Sequence, residues 1–257
     1  MINKSSVNGA RSLYYGLFSK LFVFTTREDR YEGVDDALAI MLTNPMDTHS
    51  QEAMQRLLEG IDTQGVNALV DEYDGIFHTP GRAPLRSTAS FYHEGVESGK
   101  KRLEVKNFLA KTKIRRNEAS FKENEDSVGF LMTFMHELVE LIIQGENSYE
   151  TLQHCVFTEV INPFIDEFTE GLFEHESSDL YKDVAIILNA FMDFERLYFE
   201  VAKAPKKEKI VPVKAVCEEI SPEEAARRAA NKAKKAAAQA QEEACPVFVA
   251  QDVETDI

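Results

Sequence analysis

The sequence predicts an all-α fold: a single helical bundle of eight or nine helices, followed by a C-terminal Ala/Lys/Glu-rich helical extension. Apolar residues recur at helical spacing through most of the first 202 residues. No convincing strand interrupts them, and glycine is sparse, with 12 in 257 residues, so chain breakers fall in few places. At 44% hydrophobic the chain is long enough to bury a substantial core.

Taken in order, Leu13, Tyr14, Leu17, Phe18, Leu21 and Phe22 mark one face of a first helix. Met54, Leu57, Leu58 and Ile61 mark another. Val66, Leu69, Val70, Tyr73, Ile76 and Phe77 mark a third, which is expected to stop near Pro80-Gly81, because proline disfavours helix in the residue before it and glycine permits a turn. A helix is expected to start near Ser87 or Ser90 and to run through EVKNFLAKTK. Asp126 has the chemistry of an N-cap for the next helix, whose carboxylate would accept from unpaired backbone N–H groups. That helix carries Val128, Leu131, Met132, Met135, Leu138, Val139 and Ile142 and should end near Gly145. A segment from about Tyr149 is broken or kinked at Pro163, and a last helix runs from Asp179 to about Ala202.

Past that point the texture changes. Residues 1–202 form the helical domain, 203–220 a Lys/Pro linker, and 221–257 a low-complexity helix with an extended acidic tail, expected to be mobile. Ser221, Pro222 and Glu224 are a legible helix start, with a cap, a first-turn proline and a capping-box glutamate.

Charge divides unevenly between these parts. Residues 203–257 hold ten basic and ten acidic side chains, so the net charge of -15 falls on residues 1–202. Such a body repels nucleic acid and attracts basic partners. Cys155, Cys217 and Cys245 are odd in number and widely spaced, which fits neither a disulfide framework nor a zinc site. The N-terminal segment is punctuated by Arg11 and Lys20 and does not read as a signal peptide. No window approaches the length of a membrane helix. The expectation is a soluble cytoplasmic protein with no membrane insertion.

Catalytic motifs are approached and missed. His136-Glu137-Leu138-Val139-Glu140 resembles the HExxH zinc helix, but a glutamate stands where the second histidine belongs. Residues 95–101, GVESGKK, have one residue too few between the glycines for a P-loop and lack Ser/Thr after the lysine. None of the six histidines has a glutamate three positions before it, as a di-iron carboxylate bundle requires. No catalytic residue, metal ligand or cofactor is expected.

The stretch from Glu72 to Gly95, EYDGIFHTPGRAPLRSTASFYHEG, is longer and richer in aromatics and arginines than a helix connection needs. Together with the Arg-x-Leu-Tyr segment from Arg11 to Tyr14 and with NEDSVGFLMTFMHEL, it resembles the TorD/DmsD family of cytoplasmic maturation chaperones for molybdenum-cofactor oxidoreductases. The likeness covers roughly residues 10–200. Family members show Glu-Tyr-x-x-Leu-Phe, then Pro-Gly, then a Pro-Tyr-x-Ser-x-Tyr-like segment. Glu72, Tyr73, Phe77, Pro80, Gly81, Pro84 and Tyr92 match in kind, with Leu85 where an aromatic or proline is common. The family's Asp-His pair is here Asp126-Ser127.

The resemblance implies an all-helical TorD-like bundle without enzymatic activity, monomeric or homodimeric. It would bind the catalytic subunit of a molybdopterin-dependent oxidoreductase and its N-terminal twin-arginine leader, assist cofactor insertion and prevent premature export. Formate dehydrogenase is favoured as client over nitrate, trimethylamine N-oxide or dimethyl sulfoxide reductase. Residues expected to contact client or leader are Tyr73, Phe77, Pro80, Pro84, Arg86, Tyr92, Asp126 and Ser127. Two other readings stand beside it: an all-helical adaptor that binds an unrelated partner through its C-terminal extension, and a metal enzyme built on His136 and Glu140. Taken alone, Tyr73 and Phe77, one turn apart on an apolar face, read as core rather than groove, and Asp126 as a cap.

Overall fold

The computed structural model describes residues 4–205 apart from 28, 80–82 and 119–120. The chain divides into two units, Met1–Lys206 and Lys207–Ile257, and the described residues all belong to the first. The linker expected at 203–220, beyond its first three residues, and the helix and tail expected at 221–257 lie outside the described residues. So do Pro80, Gly81 and Arg82.

Among the described residues there are ten α-helices: α1 (Lys4–Phe22), α2 (Val34–Leu42), α3 (Thr48–Gln64), α4 (Asn67–Phe77), α5 (Ala89–Glu94), α6 (Lys100–Ala110), α7 (Val128–Ile143), α8 (Glu150–Cys155), α9 (Ile165–Glu174) and α10 (Leu180–Phe199). Among the described residues, extended backbone pairs only at an antiparallel bridge between Thr88 and Ser127. The fold is all-α, as its periodicity predicts.

The centre is α1 lying along α7. Both helices are apolar on the facing side, and Gly129 lets their backbones meet. A Cβ built there would sit 2.6 Å from the Phe22 carbonyl oxygen and 2.9 Å from Val23 Cα. Helix α10 packs on α3 and α9 and brings Phe191 and Tyr181 into an aromatic cluster with Phe18, Phe22 and Phe168. Arg11 is fully buried and clamps Glu195 of α10 with two hydrogen bonds, 2.6 Å from Nε and 2.7 Å from Nη2. The Tyr15 hydroxyl donates to the same carboxylate at 2.6 Å, and the guanidinium lies over the Tyr198 ring. A bidentate pair satisfied in this way tolerates burial that an isolated charge would not. The Arg-x-Leu-Tyr segment is therefore a brace between α1 and α10.

Several local expectations are corrected. Helix α2 has no counterpart in the sequence reading. The helix expected to run from Ser87 or Ser90 through EVKNFLAKTK is two helices, because Gly95 adopts a left-handed φ of 74° and ends α5. The break near Pro163 is prepared earlier by a π-helical turn at residues 156–161. Asp126 does not cap α7. That cap is Ser127, whose side chain accepts from the Phe130 N–H at 3.2 Å.

Candidate functional site

Asp126 serves a different helix. Its carboxylate Oδ2 accepts from Ser90 N–H and its backbone carbonyl from Ala89 N–H, both at 2.9 Å, so one residue caps the start of α5 from across the fold. Val128 N–H donates to the Ser87 carbonyl at 2.8 Å. These bonds and the Thr88–Ser127 bridge join residues 87–90 to 126–128. The two blocks that stood apart in the sequence thus form one wall.

The wall borders a cleft of about 120 Å³ between the end of α4, residues 84–87, the head of α7 and α9. Tyr73, Phe77, Pro84 and Arg86 line it. Tyr73 is almost wholly buried and its hydroxyl donates to the Phe22 carbonyl, so it forms the floor. Phe77 and Pro84 are half-buried, and Arg86 is exposed. The Leu85 N–H donates to the Ile76 carbonyl at 3.0 Å, tying this segment back to α4.

Three expected site residues do not line the cleft. Asp126 and Ser127 are buried behind it. Burial raises the Asp126 carboxyl above its usual range, against the hydrogen bonds from Ser90 that lower it, and its Oδ1 has no partner. Tyr92 turns its ring onto Phe164 and donates its hydroxyl to the Arg86 carbonyl at 2.8 Å. It holds the loop from outside the cleft. Pro80 lies outside the described residues.

Sequence reasoning missed the acidic side of the cleft. Glu97 accepts from Arg86 at 3.1 Å and from the Thr88 hydroxyl at 2.9 Å. Glu123 accepts from Phe24 N–H at 3.2 Å, and burial raises its carboxyl to about 7. Neither glutamate belongs to a motif; each reaches the cleft through the path of a loop. Glu72, the first residue of the family-like block, is also a structural surprise. Its carboxylate accepts from the N–H groups of Asp179, Leu180 and Tyr181 at 2.9, 2.9 and 3.0 Å, capping α10.

His136 and Glu140 are both engaged by α1. Among the described residues no three His, Cys, Asp or Glu side chains are grouped to hold an ion. Ser12 engages both His136 Nδ1, at 3.2 Å, and Glu140, and His136 Nδ1 also lies 3.0 Å from the Ser12 carbonyl oxygen. The pair ties α7 to α1.

The cleft is small, aromatic-floored and of mixed charge, and it sits in an all-helical body. Residues 43–170 match the family model described as nitrate reductase delta subunit. The chain belongs to this TorD/DmsD-type family of molybdoenzyme maturation chaperones, which are not catalysts. Comparison with curated proteins gives no match. No helix among the described residues is long and apolar enough to cross a membrane.

Proposed function

We propose that this chaperone works in the cytoplasm, where it binds the catalytic subunit of a molybdopterin-dependent oxidoreductase together with its twin-arginine leader until cofactor is inserted. The observation that carries this reading is the joining of the two family-like blocks at one cleft, with aromatic floor and carboxylate side. A cavity of about 150 Å³ holds one benzene, so a cleft of about 120 Å³ seats a single anchoring side chain. The rest of the leader lies on the surface, where Glu97 meets its basic residues. Affinity then comes mainly from the buried apolar anchor, and charge speeds encounter. Asp126 and Ser127 act from behind the wall, by fixing α5 and α7. Nitrate reductase, through the family description, and formate dehydrogenase, favoured from sequence, are the first clients to try.

The test is titration of synthetic leader peptides of these enzymes into the full chain at low salt, beside leaders with both arginines replaced by glutamine. Glu97→Lys should weaken the natural leader several-fold and leave the glutamine leader nearly unchanged. Equal binding of both peptides by both proteins would remove the cleft from leader recognition.

A further inference from the structure

Arg86 and Glu97 both line the cleft, and they are bound to each other. Arg86 stands in the loop after α4, and Glu97 in the turn between α5 and α6. The guanidinium donates one hydrogen bond, from Nη1 to Glu97 Oε1 at 3.1 Å, and both side chains are nearly half exposed. The Arg11–Glu195 pair is the contrast: it is fully buried, and two nitrogens of one group meet two oxygens of the other. An exposed ion pair with a single long bond is weak and exchangeable, because water competes for both partners.

The carboxylate is held while the guanidinium is loose. Thr88, itself buried, donates its hydroxyl to Glu97 Oε2 at 2.9 Å, and the Asn124 side chain donates to the Glu97 carbonyl at 3.0 Å. Oε2 is thus fixed by the wall, and Oε1 is given to Arg86. The backbone around Arg86 is pinned as well: the Leu85 N–H is tied to Ile76, the Arg86 carbonyl to Tyr92 and the Ser87 carbonyl to Val128. Only the Arg86 side chain can leave. A second seat lies within its reach, since the guanidinium carbon is already 5.5 Å from the centre of the Phe91 ring.

We propose that Arg86 is a built-in competitor for the leader: it occupies the Glu97 oxygen that a leader arginine would take, and binding exchanges one guanidinium for another. The proposal rests on the leader reading above, and it reverses the role expected of Arg86, from client contact to plug. The two guanidinium groups are chemically alike, so the exchange gains little at this oxygen. The apparent affinity for the leader is lowered by the fraction of time the seat is taken, which for an exposed pair amounts to about two- to fivefold. In return Glu97 does not stand bare in the unloaded chaperone. A basic segment without an apolar anchor must displace Arg86 with nothing else to gain.

The experiment titrates the nitrate reductase and formate dehydrogenase leaders, natural and with both arginines replaced by glutamine, into four full-length proteins at low salt. These are the parent, Arg86→Gln, Glu97→Gln and the double variant, each shown folded by its melting curve. Removing Arg86 should tighten the natural leader about two- to fivefold, leave the glutamine leader unchanged, and do nothing once Glu97 is glutamine. Unchanged or weaker binding of the natural leader by Arg86→Gln, equal tightening of both leaders, or the same gain in the Glu97→Gln background would overturn the proposal and leave the leader reading standing. Equal binding of the two leaders by both the parent and Arg86→Gln would overturn the two together.

Discussion

Replacing Glu72 by alanine removes the side chain that accepts from three backbone N–H groups at the start of α10. Loss of an N-cap costs about 0.5–2 kcal/mol, and a carboxylate at a helix N-terminus adds about 0.3–1 kcal/mol through the helix dipole. Glu72 is half-buried, so little water replaces it without rearrangement. The sum is about 2 kcal/mol. For a body of this size each kcal/mol moves Tm by about 2–4 °C, giving a fall of about 4–8 °C. Glu72→Gln keeps a carbonyl acceptor and loses the charge, so it should lose roughly half as much. Far-UV circular dichroism melts of the three proteins measure this, and leader titration well below Tm measures function. The glutamate opens the block by which the family is recognised, yet its variants should bind leader normally while folded. An unchanged Tm, or lost leader affinity in a fully folded variant, refutes the assignment of Glu72 as a cap.

Two further outcomes follow from the packing and the charges. Gly129→Ala places a methyl against the backbone of Phe22 and Val23. The clash outweighs alanine's helix preference, and a net loss of about 1–3 kcal/mol is expected in denaturant unfolding; a stabilised variant would contradict the close approach of α1 and α7. Burial raises Glu123 from 4.5 to about 7 in the folded protein. Between these values the folded chain holds more protons than the unfolded chain, so the group's contribution to stability falls as pH rises through that window. Glu123→Gln removes this term: its stability relative to the parent should rise from about pH 5 to about pH 8, by at most about 3 kcal/mol. A difference flat with pH would place the titration elsewhere.

The long helices were legible because their burial leaves a periodic trace. α1, α3, α4 and α7 coincide with apolar stripes read from the sequence, and α10 with the helix expected from Asp179. Helix α2 escaped notice because it is only nine residues long and lies between loops. The π-helical turn at 156–161 is a change of hydrogen-bond register, to which side-chain spacing is nearly blind. Asp126 was misassigned to the adjacent helix because local sequence offers an N-cap only its own neighbours, whereas the actual receiver, Ser90, is 36 residues away. Half of the expected contact residues line the cleft, those on α4 and the following loop. Glu97 and Glu123 were invisible for the same reason as the Asp126 cap: position along the chain does not reveal which loop passes over which helix.

The two distant caps bear on how the fold forms and how long it lasts. Helical bundles usually fold quickly because their contacts are local. Here the carboxylates that start α5 and α10 come from 36 and 107 residues away. Neither helix receives its cap until another part of the chain has arrived. A cap that forms after the rate-limiting association slows unfolding and leaves the folding rate nearly unchanged, so Glu72→Ala is expected to raise the unfolding rate in stopped-flow traces more than it lowers the folding rate. The same dependence makes the body indivisible: a fragment cut between residues 94 and 126 separates α5 from Asp126, so neither half retains the wall of the cleft.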